Sequence, residues 1–289
     1  MTTQPATRPA PQHLPDAGPV VVLGATGKTG RRVADRLDAL GLEVRRGSRT
    51  GSPRFDWADE STWAPLLDGA AAVYVAYAPD LAVPGAPETV TRLARAAHDL
   101  GVRRLVLLTG RGETEAQRAE ATVAAVFPDR TVLRCAFFAQ NFSESFFLDP
   151  VLDGVLALPV ADVREPFVDL EDVADVAVAA LTQDGHAGRV HELTGPRALT
   201  FAEAADAIAA ASGRPVQHVP ITADGFTAGL AAAGIPDDLV ALLRYLFTEV
   251  LDGRGSHVTD GVRAVLGREP RDFAAFATRE VAAWTATAS

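Results

Sequence analysis

The sequence is short of the residues that staple a fold or hold a metal. A single cysteine, Cys135, in 289 residues excludes an intramolecular disulfide and any cysteine metal cluster. One cysteine suits a reducing compartment, and the cytoplasm is the expected location. The six histidines (His13, His98, His186, His191, His218 and His257) show no metal-ligand spacing. No stretch approaches the roughly 18 uninterrupted apolar residues of a membrane span. Basic residues are outnumbered, with Lys+Arg 27 against Asp+Glu 37, a net charge of −10 and a pI near 5.1. That balance argues against nucleic acid and anionic membrane as partners. No internal repeat occurs at solenoid periods. Residues 1–18 are rich in Pro, Thr, Ala and Gln. With neither an apolar run nor a basic cluster, they read as a disordered tail rather than a signal peptide or anchor.

What the chain has is apolar material, 48% of its residues, ample for a large core. Its organising stretch begins with Val20-Val21-Val22-Leu23, which reads as a buried parallel strand. Gly24, Gly27 and Gly30 follow at three-residue spacing. A helical pattern then starts, with Val33, Leu37 and Leu40 on one face and Arg31, Arg32, Asp35 and Arg36 on the other. Strand, glycine turn and helix make a dinucleotide-binding unit. The turn needs a residue free to take φ > 0, and the helix start offers free N–H groups to a pyrophosphate. Gly24, Thr26, Gly27, Lys28, Thr29 and Gly30 are therefore cofactor-binding candidates. Gly27-Lys28-Thr29 also resembles a triphosphate loop, but that loop needs a glycine where Val22 stands.

Strand and helix patterns then alternate. Strands are expected at 42–48, 71–76, 105–109 and 131–135, and helices at 88–100 and 113–126. Such alternation predicts a Rossmann-type α/β fold, a doubly wound parallel sheet. Residues 19–154 are expected to form the nucleotide-binding domain. Residues 155–289 read as a mixed region that returns to the sheet near 190–193 and builds a smaller, mostly helical substrate lobe. Within it, Asp169 is placed to cap a helix, and Thr200 and Glu203 have capping-box spacing before a stop at Gly213. A helix is expected to end near Pro150, a strand to span 216–221, and three helices to follow.

Ligands of such sheets bind at the carboxyl ends of the strands. That rule nominates Ser48 and Arg49, Ala76 and Tyr77, Thr109 and Gly110, and Ala136, Phe137 and Phe138. The end of the second strand selects the cofactor. No Asp or Glu occurs between Val44 and Phe55, whereas Arg49, with Ser48 beside it, fits a 2′-phosphate. NADP(H) is thus expected over NAD(H), with Arg46 as a second contact. Asp56, just after the next expected strand, is a candidate either for the adenine or for capping a helix near Glu60.

The chain resembles the NmrA-like group of atypical short-chain dehydrogenase/reductases from about Val20 almost to its end. The segments that carry the resemblance are residues 24–30, the Arg49 position, Phe167-Val168-Asp169-Leu170-Glu171-Asp172-Val173-Ala174, and His191-Glu192-Leu193-Thr194-Gly195-Pro196. Arg134-Cys135-Ala136-Phe137-Phe138 with Asn141-Phe142, and Val258-Thr259-Asp260-Gly261-Val262, place it nearest the ergot-alkaloid iminium reductases, the festuclavine and agroclavine dehydrogenases. The resemblance implies a nicotinamide-cofactor oxidoreductase, but the group also contains cofactor-binding regulators. One departure matters. The Tyr-x-x-x-Lys pair of typical short-chain dehydrogenases is missing, and Gln117 is the counterpart of its lysine.

The remaining candidates follow from placement. Tyr77 reads as a stacking group, a proton donor or a packing residue, and Tyr74 as core. Cys135 reads as a small buried hydrophobe. Phe137, Phe138, Phe142, Phe146 and Phe147 form an aromatic segment, with Phe138 and the polar Asn141 as substrate-pocket candidates. His257 sits in an expected loop near the cleft. The reading is an NADPH-dependent reductase of a small apolar or aromatic electrophile: an iminium, a quinone or an enone, with Tyr77 or Thr109 serving a developing oxyanion. A redox-sensing regulator and a short-chain epimerase or dehydratase are the alternatives, and a homodimer is left open.

Overall fold

The computed structural model describes residues 18–285, so the expected tail lies outside the described residues except for Gly18. Strands β1 (Val20–Leu23), β2 (Val44–Gly47), β3 (Ala72–Val75), β4 (Arg104–Gly110) and β5 (Thr131–Cys135) carry the first half of the chain. Between and after them run helices α1 (Lys28–Ala39), α2 (Trp63–Leu67), α3 (Ala86–Asp99) and α4 (Thr114–Val126). Next come α5 (Asn141–Glu144), α6 (Leu148–Leu152), β6 (Val155–Leu158), β7 (Arg164–Glu165) and α7 (Leu170–Thr182). Then β8 (Val190–Leu193), β9 (Leu199–Thr200), α8 (Phe201–Ser212) and β10 (Gln217–Pro220) follow. The main sheet has six parallel strands in the order β2-β1-β3-β4-β5-β8. The order reverses between β1 and β3, which is where a doubly wound sheet opens its ligand crevice.

Period-two alternation distributes the strand residues to two cores. Val20, Val22, Ala72, Tyr74 and Val106 pack under α1 and α7. Val21, Leu23, Val73, Val75 and Leu107 pack under α2, α3 and α4. Both faces are covered, which is why these strands read as continuous apolar runs. A third core lies outside the sheet. It joins Phe142, Phe147, Phe167, Phe201, Phe247 and Phe273 with β6, α8 and the C-terminal helices.

Asp169 caps α7 by accepting from the Glu171 backbone N–H, the Thr200–Glu203 capping box forms, and Gly213 ends α8 in the left-handed region. Several expectations need correction. Leu40 is 36% exposed and leaves the apolar face of α1. The arginine face of that helix is bridged to acidic residues: Arg31 and Arg32 pair with Glu144, Arg32 and Arg36 with Glu171, and Arg36 with Asp175. A charged helical face therefore served as an interior contact with α5 and α7. Among the described residues no further strand lies between β2 and Asp56, whose ladder contact is a single bridge to Asp59. The helix expected to end near Pro150 splits at Ser145, which is extended, and Pro150 falls in the first turn of α6, where its missing N–H costs nothing. The strand expected at 216–221 is β10, and it pairs with β6 away from the main sheet. Among the described residues five α-helical segments follow it, not three: Ala223–Ala232, Asp237–Tyr245, Gly261–Leu266, Phe273–Arg279 and Val281–Thr285.

Candidate functional site

The glycine turn does what its spacing demands. Gly24 takes φ +69°, and its carbonyl accepts from the Gly27 N–H at 2.9 Å. A Cβ on Gly30 would stand 2.1 Å from the Gly24 carbonyl oxygen, so only glycine lets α1 pack this close to the turn. Gly27 precedes α1 with no side-chain cap, leaving the first N–H groups of the helix for an anion.

A cleft of about 250 Å³ opens over this turn. It brings together Gly24, Gly27, Lys28, Thr29, Ala76, Tyr77, Thr109, Gly110 and Phe138 from the expected residues, and adds Ala78, Pro79, Asp80, Leu81 and Leu108. Lys28 donates a hydrogen bond to Asn141 at the start of α5, which ties the turn to the segment after β5. Burial pulls the Lys28 ammonium down to about 8, against the attraction of Glu144; the charges of Arg31 and Arg32 lower it further. Tyr77 stacks tilted on Trp57, ring centroids 4.8 Å apart.

Beyond the cleft, at the end of β2, Ser48 is half-buried and Arg49 exposed. Arg49 forms no side-chain hydrogen bond or ion pair among the described residues. Arg46 is not free for a phosphate, because it pairs with Asp35 and Asp38. Asp56 neither caps the helix near Glu60 nor lines the cleft. It pairs with Arg54 and accepts from the Ala58 backbone, and Asp59 is the cap. The Ala58 N–H holds the Asp56 carboxyl below its usual range. Thr26 is exposed at the turn and does not line the cleft.

Other expected residues are set back. Gln117 is exposed on α4 and does not reach the cleft. The Thr109 hydroxyl donates to Glu120 at 2.8 Å, and Glu120 is held in turn by Arg134, so that hydroxyl has no hydrogen left for an oxyanion. Ala136 is buried, and Phe137 stacks on Phe147, 5.9 Å between centroids, on the third-core side. Phe142 and Phe147 are core, while Phe146 is 40% exposed. Tyr74 is fully buried, as is Cys135, whose thiol burial pushes up and out of reach of neutral pH. His257 is exposed, and both its ring and its carbonyl engage Arg111.

Four site residues were missed. Arg111 donates to the carbonyls of Gly255 and His257 at 2.8 and 2.9 Å and pins that loop beside β4. Glu165 is buried and accepts from the Phe137 N–H at 3.0 Å. Asp80 lines the cleft, and Glu113 lies buried behind it. The only signal available for these was position, since all but Glu165 follow the ends of β3 and β4.

No residue among those described joins a group of three or more potential metal ligands, and no described helix is long and apolar enough to cross a membrane. No family model matches the chain. It is 34% identical over 278 residues to an uncharacterized oxidoreductase, YesF, of Bacillus subtilis, covering 92% of this chain and 96% of that protein. It is 29% identical over 283 residues to the agroclavine dehydrogenase of Claviceps fusiformis, covering 92% and 98%. Its fold matches the NADPH-dependent quinone oxidoreductase QOR2 of Escherichia coli with a TM-score of 0.74 at 21% identity, over 90% of this chain and 99% of that one. With these likenesses spanning almost its whole length, the chain belongs to the NmrA-like atypical short-chain dehydrogenase/reductases, near the ergot-alkaloid dehydrogenases, and is an oxidoreductase.

Proposed function

We propose that the chain is an NADPH-dependent reductase of small, already electrophilic molecules: an iminium, a quinone or a conjugated enone. One observation carries the reading. The phosphate turn and the β3 and β4 ends share one cleft, yet the chain's single lysine, Lys28, belongs to the turn and no Tyr-x-x-x-Lys pair exists. A ketone reductase needs a strong acid to polarise its carbonyl, whereas these substrates accept hydride without one.

The residues fit the cofactor. The Gly24–Gly30 turn and the α1 N-terminus hold the pyrophosphate, with Lys28 as a cation at the wall. Arg49 and Ser48 take the 2′-phosphate. The cofactor supplies a hydride when bound. Tyr77, Phe138 and Asn141 line or support the substrate side, with the part of residues 155–289 that packs in the third core, outside the main sheet, as the substrate lobe. Tyr77 serves an oxygen that gains charge, since Thr109 is committed to Glu120. The agroclavine dehydrogenase relative and the quinone oxidoreductase neighbour support this range of substrates.

The test is a substrate panel at one pH with wild type and Tyr77→Phe. NADPH consumption is expected with iminium, quinone or enone substrates and almost none with plain ketones. Tyr77→Phe should lower the quinone or enone rate more than the iminium rate. Efficient turnover of a plain ketone overturns the mechanism, and tight NADPH binding with no turnover of any class overturns the enzyme reading.

A further inference from the structure

Arginine matches most of the buried carboxylates of this chain. Glu120 pairs with Arg134, Glu144 with Arg31 and Arg32, Asp169 with Arg279, and Asp172 with Arg268 and Arg271. The matching is expected, since an unpaired charge held away from water is costly. Asp80 is an exception, and it lies in the cleft. It is half-buried. Of the residues that line the cleft it is the one acid, as Lys28 is the one base. Lys28 belongs to the phosphate turn and donates to Asn141. Asp80 lies on the segment after β3, and among the described residues it has no cationic partner. Its Oδ1 accepts from the Ala82 N–H at 2.8 Å, which fixes the side chain. Its Oδ2 accepts no hydrogen bond among the described residues.

The rest of the lining suits an organic cation. Tyr77 and Phe138 bring aromatic rings, whose faces attract positive charge, and Leu81 and Leu108 bring apolar surface. The nearby Glu113 carboxyl packs against Gly110, where a Cβ would fall 1.7 Å from its Oε1. Burial raises Glu113 well above its usual range and so favours its neutral form. Burial raises Asp80 as well, while the Ala82 N–H and Glu113 act to lower it. A cation beside Asp80 favours its charged form.

We propose that Asp80 is the counter-ion of a cationic substrate, the residue by which this cleft takes an organic iminium in preference to a neutral quinone or enone. This rests on the reductase reading and narrows it. A carboxylate attracts an iminium before reaction and opposes the oxyanion that a quinone or enone develops. Hydride adds to the iminium carbon, the C=N π pair becomes a lone pair on nitrogen, and the product is a neutral amine. The attraction therefore ends at the chemical step.

The first measurement needs no turnover. The probe is the N,N-dimethyl tetrahydroisoquinolinium ion, a quaternary ammonium with no C=N bond to reduce, compared with its neutral carbon isostere, dimethyltetralin. Calorimetry on the full chain with saturating NADPH should show the cation binding on the order of tenfold more tightly. Asp80→Asn keeps an acceptor for the Ala82 N–H but removes the charge, and should abolish that advantage. Asp80→Glu, which keeps the charge, should retain most of it. Equal binding of cation and isostere to wild type overturns the proposal. So does a preference that survives Asp80→Asn, or a loss of NADPH affinity in that variant as large as the loss for the cation. The second measurement is turnover. Asp80→Asn should lower kcat/KM for an N-methyl dihydroisoquinolinium on the order of tenfold more than for a naphthoquinone, and equal losses overturn the proposal. If wild type reduces neither, the reductase reading fails, and calorimetry still decides whether Asp80 holds a cation.

Discussion

Lys28, the only lysine in the sequence, donates a hydrogen bond to Asn141, the only asparagine. Arginine supplies every other side-chain cation of the Lys+Arg total of 27, so a compact ammonium was retained at this one place. Its burial holds it at about 8. A bound pyrophosphate adds negative charge beside it and raises that value. Binding therefore takes up protons, and NADPH affinity should fall as pH rises through about 8. Lysine-selective labelling gives one side-chain NMR signal to follow. It should titrate near pH 8 in the free protein and move upward with NADPH. Titration near the ordinary 10.5, or no response to NADPH, removes Lys28 from the phosphate site.

Among the described residues Arg49 has no side-chain hydrogen bond or ion pair, so its removal should cost binding and not folding. Arg49→Ala should weaken NADPH by roughly tenfold to a hundredfold, the equivalent of about 1.5–3 kcal/mol for a charge-assisted pair. NADH, which lacks the 2′-phosphate, should bind nearly as before. Calorimetry with both cofactors decides it. Equal losses would assign Arg49 to the fold.

Gly27 and Gly30 should fail in different ways. A Cβ at Gly27 meets only the Gly24 oxygen, at 3.2 Å, so Gly27→Val should fold while its methyls fill the pyrophosphate path and abolish NADPH binding. A Cβ at Gly30 meets backbone at 2.1 Å, so Gly30→Ala should unfold at a lower temperature. Thermal melts and NADPH titration of the two variants separate these outcomes. A folded Gly27→Val protein with parental affinity would falsify the turn as the phosphate site.

The sheet and the phosphate turn were legible because local sequence specifies them. Val20–Leu23 is buried on both faces, and the spacing of Gly24, Gly27 and Gly30 is imposed by one turn. The cleft walls were legible only as strand ends, which is how Tyr77, Thr109 and Phe138 were reached. What a strand end cannot announce is a partner distant in the chain. The arginine face of α1 looks solvated until Glu171 and Asp175 arrive from α7. Thr109 looks available until Glu120 takes its hydrogen.

Glu165 provides a pH test of the packing between the sheet and the third core. Burial raises its carboxyl to about 7, although the Phe137 N–H and the Arg111 charge act to lower it. In the unfolded chain it returns to about 4.5. Between these two values the native state holds a proton that the unfolded chain has released. Its stabilising contribution is complete below about 4.5 and is lost as pH rises through about 7. Glu165→Gln keeps an oxygen for the Phe137 N–H but cannot ionise. Any misfit of its amide acts equally at every pH, so the change in slope is the informative quantity. Relative to wild type, the variant should gain on the order of 1–3 kcal/mol between pH 5 and pH 8, a few degrees in Tm for a chain this long. Thermal unfolding of both proteins at the two pH values measures it. Parallel pH dependences would mean that the Glu165 carboxyl reaches water, and that the contact between Phe137 and β7 is looser than the buried hydrogen bond requires.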